Sequence, residues 1–133
     1  MALVTRVSNA SIDMSSAQYA PQIPDLVAGE ALDVAAPCHI DATDGKVYMS
    51  NGTAADADAK IDGFTPRAVA SGQPVTLVGK GARFRYSDGN LTPGATYYLG
   101  ATDGRLDTAA TTGDAAGVAK AINAYDIRVI RDA

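Results

Sequence analysis

A four-residue segment occurs twice. Ala42-Thr43-Asp44-Gly45 returns as Ala101-Thr102-Asp103-Gly104, 59 residues further along the chain. At that same offset Leu32 falls on Leu91, Ala36 on Ala95, Ile40 on Leu99, Lys46 on Arg105 and Val47 on Leu106. Both copies run from an apolar segment into a Thr-Asp-Gly turn and leave through a basic and an aliphatic residue. Asp-Gly between apolar runs is a strong hairpin signal, because glycine adopts positive φ without steric cost. The repeat therefore predicts a β-hairpin with flanking strands, present twice and meeting in one core. The alternative is a chance match among abundant Ala, Thr and Gly. A duplicated small β unit without evident chemistry points to a scaffold or binding protein rather than an enzyme.

The chain has 133 residues, the size of one domain. Such a domain buries roughly two thirds of its unfolded surface and can hold a core without staples. Trp is absent and Phe occurs at positions 64 and 84 alone, so Val, Leu, Ile and Tyr must supply most of the core. A net charge of −4 argues against a general nucleic-acid binder, whose footprint is a basic patch. Local basic strips remain compatible with it. Cys38 is the single cysteine, which excludes an intramolecular disulfide. The first residues, Met1-Ala2-Leu3-Val4-Thr5-Arg6, lack the long apolar core of a signal peptide. No run approaches the roughly 18 apolar residues of a membrane span. These features predict a protein made and folded in a cytosol, with no export signal of its own.

Residues 1–24 differ from the rest. They are polar and turn-prone, and Pro21 and Pro24 hold residues 21–24 extended. A frayed terminus is one reading. Leu3, Val4, Val7, Ile12, Tyr19 and Ile23 favour the other, an arm that orders against a neighbour. Residues 25–133 form the predicted β domain. Strands are expected over residues 37–41, 46–50, 61–70 (interrupted by Pro66), 75–78, 82–86, 95–99, 118–122 and 125–130, with turns at Asn51-Gly52 and Ser71-Gly72-Gln73-Pro74. Residues 54–60, alanine-rich without a large apolar residue, read as an exposed loop or one helical turn. Ala82, Phe84 and Tyr86 share one strand face, and Arg83 and Arg85 the other. Tyr125, Ile127 and Val129 alternate with Asp126 and Arg128. Many short strands at regular spacing predict an all-β fold, a small barrel or sandwich built from two related halves with an extended N-terminal arm.

No catalytic or metal constellation emerges. Cys38 and His39 are adjacent and point to opposite faces of a strand, so they cannot pair as nucleophile and base. Asp56, Asp58, Lys60 and Asp62-Gly63 superficially resemble a calcium loop. However, Lys60 holds the fifth position, and Arg67 stands where a bidentate Glu is needed. Gly79-Lys80-Gly81 lacks the Ser or Thr of a phosphate loop. Asn9-Ala10-Ser11 and Asn51-Gly52-Thr53 match the glycosylation pattern, which carries little weight without a secretory signal. Lys80, Arg83 and Arg85 place three cations within six residues. They are an ordinary solvated face or a docking strip for an acidic protein surface.

Leu91-Thr92-Pro93-Gly94-Ala95-Thr96-Tyr97-Tyr98-Leu99, followed by Gly104, a Thr-rich loop and Gly117-Val118-Ala119, resembles a module recurrent in tailed-bacteriophage virion proteins. Ala28-Gly29-Glu30-Ala31-Leu32, Asp44-Gly45-Lys46-Val47-Tyr48, Gly63-Phe64 and Gly72-Gln73-Pro74-Val75-Thr76-Leu77-Val78 are similar in style. Over roughly residues 25–130 the chain looks like the capsid decoration, or cement, proteins. The motifs are turn-and-strand patterns, less specific than catalytic signatures, and residues 1–24 and 54–60 fall outside them. The resemblance implies a β-barrel or sandwich on the outer surface of a virion capsid, made in the host bacterial cytoplasm. It implies binding to the major capsid protein as a homo-oligomer, with a trimer favoured over a dimer, so as to bridge capsomers. It implies no catalysis, cofactor or metal, and no direct contact with nucleic acid or membrane. The partner-binding residues expected are Leu3, Val4, Val7, Ile12, Tyr19, Ile23, Lys80, Arg83 and Arg85. The alternatives are a head-fibre or tail-associated module with a host-binding role, and a carbohydrate-binding β domain using Tyr97 or Tyr98. Adjacent tyrosines on a strand point oppositely, so one of the two belongs to the core.

Overall fold

The computed structural model describes residues 3–6 and 22–131. The described residues are all-β, with ten strands in two five-stranded antiparallel sheets. In chain order these are β1 Gln22–Val27, β2 Pro37–Ile40, β3 Val47–Met49, β4 Gly63–Phe64, β5 Pro74–Val78, β6 Arg83–Arg85, β7 Thr96–Leu99, β8 Leu106–Asp107, β9 Ala119–Ala121 and β10 Asp126–Val129. The first sheet is ordered β1-β5-β4-β2-β3 and the second β6-β10-β9-β7-β8. Adding five to each strand number of the first order yields the second. The chain is thus a tandem duplication of one five-stranded unit.

The hairpins carry the offset residue by residue. Ile40 pairs with Val47 and His39 with Tyr48; 59 positions on, Leu99 pairs with Leu106 and Tyr98 with Asp107. The turn is closed in both by the same bond, Asp41 N–H to Lys46 O at 2.8 Å and Gly100 N–H to Arg105 O at 2.7 Å. Gly45 and Gly104 take φ of 72° and 70°, the left-handed conformation anticipated from Asp-Gly. A further bond repeats with a different donor. Gly29 N–H caps the outer edge of β3 at Val47 O (2.9 Å), and Val4 N–H caps the equivalent edge of β8 at Leu106 O (3.0 Å).

Val4 is therefore tied to its own chain. It is buried in the main core, and Arg6 bridges the halves by donating to Gly104 O (2.6 Å) and pairing with Asp33 (3.0 Å). The expected arm spanning residues 1–24 is corrected at both described ends. Residues 3–6 dock on the domain, and residues 22–24 belong to β1. Extended, proline-punctuated chain suits an edge strand, where the N–H missing from Pro24 withholds nothing from a ladder. A bulge at Asp25, with φ of 64°, shifts the register between Ile23 and Leu26.

The strand expected across residues 61–70 shrinks to β4, because Pro66 and the return at Val69, bridged to Leu32, bend the chain away. Residues 57–59 form a 3₁₀ turn capped by the Asp56 carboxylate. Instead of one core, the described residues form two. The larger includes Phe84, Tyr86, Leu99 and Ile127 of the second half with Ile61, Phe64 and Val78 of the first. The smaller, around Leu32, Cys38, Val47 and Leu77, lies within the first half. Phe64 and Phe84, 5.5 Å apart and tilted, join the sheets.

Candidate interaction surface

Register sets the chemistry of the surface. On the outer face of the second sheet Thr96 pairs with Lys120, Lys120 with Arg128, and Arg128 with Arg83. Three cations thus stand in one cross-strand row. Arg83 is held by Asp126 at 3.0 Å. Arg85 pairs with Asp88 at 3.0 Å and lies over the Tyr125 ring, 4.9 Å from its centre. Of the two arginines singled out from sequence, each already has an intramolecular carboxylate. Among the described residues Lys80, Lys120 and Arg128 make no ion pair. Lys120 and Arg128 escaped the sequence reading because they lie eight residues apart across a turn. The alternation of Arg128 with Ile127 and Val129 was the available signal.

The expected contacts divide. Ile23 is exposed on β1, Leu3 is exposed beside β8, and Lys80 is exposed at the turn before β6. Val4 is core. Val7, Ile12 and Tyr19 lie outside the described residues. Ile23 and Val27 of strand β1 stand as exposed apolar side chains on a sheet edge that pairs on one side with β5, while Leu26 packs against the smaller core.

The first half carries an acidic cleft of about 180 Å³, bordered by Glu30, Asp41, Asp58 and Asp103, with His39 and Tyr48 in its wall. Inside it His39 Nδ1 lies 3.0 Å from Ser50 Oγ, and Nε2 lies 3.5 Å from Asp58. Three such residues in line invite comparison with a hydrolytic triad, but the protons run the wrong way. Ser50 donates its single hydroxyl proton to Lys60 O at 2.6 Å, so its oxygen accepts from His39 Nδ1–H. A histidine that donates to the serine cannot act as its base, and Ser50 is fully buried. The network instead fastens β2 to the loop over residues 50–62. Nothing in the sequence predicts the contact, which forms across the hairpin.

Two aspartates of the apparent calcium loop are likewise backbone caps. Asp56 accepts from Asp58 N–H (3.0 Å) and Asp62 from Ile40 N–H (2.8 Å). Asp114 plays the Asp62 role in the second half, accepting from Leu99 N–H at 2.9 Å, 59 positions beyond Ile40. Among the described residues no group of three or more His, Cys, Asp or Glu is placed to hold a metal ion, and no helix is long and apolar enough to cross a membrane. Cys38 is fully buried, with burial pushing its thiol pKa far up and the Glu30 charge adding to the effect. Of the adjacent tyrosines, Tyr97 is core and its hydroxyl oxygen accepts from Thr92 N–H at 2.8 Å, while Tyr98 is half-buried. Comparison with family models and with curated proteins finds no match to this chain.

Proposed function

We propose that this protein is a virion structural protein that binds the outside of a tailed-phage capsid and stabilises the shell by bridging major capsid protein subunits. The sequence resemblance to decoration proteins supplies the class. The observation that carries the reading is the exposed apolar edge strand β1, where Ile23 and Val27 stand 37% and 39% exposed. An open sheet edge is ordinarily blunted, and Pro24 with the Asp25 bulge does so here against ladder pairing. The apolar side chains left outside are the means of contact. A ligand that binds the assembled shell and not its separated subunits stabilises the shell by mass action, and many copies each add a modest interface.

The test is co-sedimentation with empty expanded capsids, followed by heat or chelator challenge of filled particles with and without the protein. Binding that is lost in Ile23→Asp/Val27→Asp, with the variant still folded, is the expected result. Equal DNA retention in decorated and bare particles refutes reinforcement. Weight then moves to a head-fibre or glycan-binding module, for which Tyr125, 46% exposed, is the available stacking surface.

A further inference from the structure

The duplicated fold has already used one of its faces for docking. In the first half, Pro37 pairs with Phe64, Phe64 with Val78, and Val78 with Gln22. This is the row across β2-β4-β5-β1. Its counterpart across β7-β9-β10-β6 is Thr96, Lys120, Arg128 and Arg83, with residues 37 and 96 related by the same offset of 59. In the first row Phe64 and Val78 are buried in the core shared with the second half. In the second row Lys120 and Arg128 are exposed. One face of the repeat thus meets a neighbour in the first copy and stands open, charged, in the second.

The open row gathers like charges on neighbouring strands. Like charges directly opposite on neighbouring strands are destabilising. Here Arg128 faces a cation on each side, and the Asp126 carboxylate in the row's neighbourhood is engaged by Arg83. Lys80 adds a further cation beside Arg128, in the groove they share with Gly81 and Ile130. A surface arranged this way is relieved by carboxylates from outside. The chain carries such a surface itself in the acidic cleft, where Glu30, Asp41, Asp58 and Asp103 converge. The two patches have no residue in common, so one molecule can offer both at once.

We infer that copies of this chain associate head to tail, with the Lys120–Arg128–Arg83 row of one docked on the acidic cleft of the next. Such a contact is heterologous. It closes into a ring where the rotation allows and otherwise propagates as a chain. The inference gives faces to the self-association that the resemblance to decoration proteins implies. It is independent of capsid attachment, because it is read on the isolated protein.

Sedimentation velocity of the full chain across a concentration series tests it. The expected result is association at low ionic strength that weakens steeply above about 0.15 M salt, where the screening length falls to ~8 Å. Lys120→Glu/Arg128→Glu should weaken association by about tenfold or more. Asp58→Lys/Asp103→Lys should do the same, and an equimolar mixture of the two variants should regain it. Circular dichroism establishes that each variant is folded, and Lys120→Gln/Arg128→Gln substitutes where a reversal is not tolerated. A monomer at every salt and concentration overturns the proposal. So does association that ignores salt or the Lys120/Arg128 change. A monomer whose row instead binds duplex DNA overturns it in favour of a nucleic-acid partner.

Discussion

Asp114 and Asp62 do the same job in the two halves, yet their loss should be felt very differently. Asp114 is almost completely buried. Its carboxylate accepts from Leu99 N–H (2.9 Å) and Gly117 N–H (2.8 Å), and pairs with Arg131 at 3.1 Å. Asp62 is half-buried and caps Ile40 N–H at 2.8 Å. An unsatisfied buried donor costs about 1–3 kcal/mol, whereas a donor that water can reach costs far less. Asp114→Ala strands two buried N–H groups and removes the carboxylate facing the buried Nη2 of Arg131. The expected loss is about 3–5 kcal/mol for Asp114→Ala and about 1 kcal/mol for Asp62→Ala. Against a total of about 5–15 kcal/mol for an ordinary domain, the first is a large fraction. Asp114→Asn should recover part of the loss, because its amide oxygen still accepts one of the two N–H groups while its NH2 faces the other. Urea denaturation of the three variants, compared at constant m, measures this. Equal losses for Asp114→Ala and Asp62→Ala would refute the burial argument.

The hairpin glycines form a second matched pair. A Cβ at Gly45 meets nothing within 4 Å, whereas one at Gly104 meets Met49 Sδ at 2.6 Å and Ala36 Cβ at 3.1 Å. Gly45→Ala should cost the left-handed strain alone, about 1–2 kcal/mol. Gly104→Ala should add about 1–3 kcal/mol of overpacking, which thermal melts will resolve. Cys38 should resist alkylation in the native protein even at about pH 9 and react fully in denaturant, since burial keeps its thiol protonated. The Tyr48 hydroxyl donates to Asp44 at 2.7 Å, which lowers the Asp44 pKa, first through this bond and then through Lys46 N–H, and raises that of Tyr48. Tyr48→Phe should return the Asp44 pKa upward in an NMR titration. The bond's contribution is complete above the ordinary carboxylate pKa and is lost as pH falls through the lowered one, so the two proteins should differ most above the ordinary value and converge in stronger acid.

The sequence alone determined the hairpins, and the reason is loop length. Six residues join β2 to β3 and six join β7 to β8, so the offset of 59 stays constant and the repeat is visible there. Elsewhere the connections differ. Thirteen residues lie between β3 and β4 against eleven between β8 and β9, and nine between β4 and β5 against four between β9 and β10. The duplication of those strands left no linear trace, and the shared strand order emerges only from the pairing. Alternation likewise placed Ala82, Phe84 and Tyr86 inside, because side-chain direction along a strand is a local property. Tertiary structure decided what local periodicity cannot express. It buried Val4 against the second half and set Ser50 across the hairpin from His39. It also brought Lys120 and Arg128 into one row with Arg83 and set Asp126 against that arginine. Each of these depends on which strand lies beside which, and backbone pairing between distant segments is chosen by the whole core rather than by any residue's neighbours in sequence.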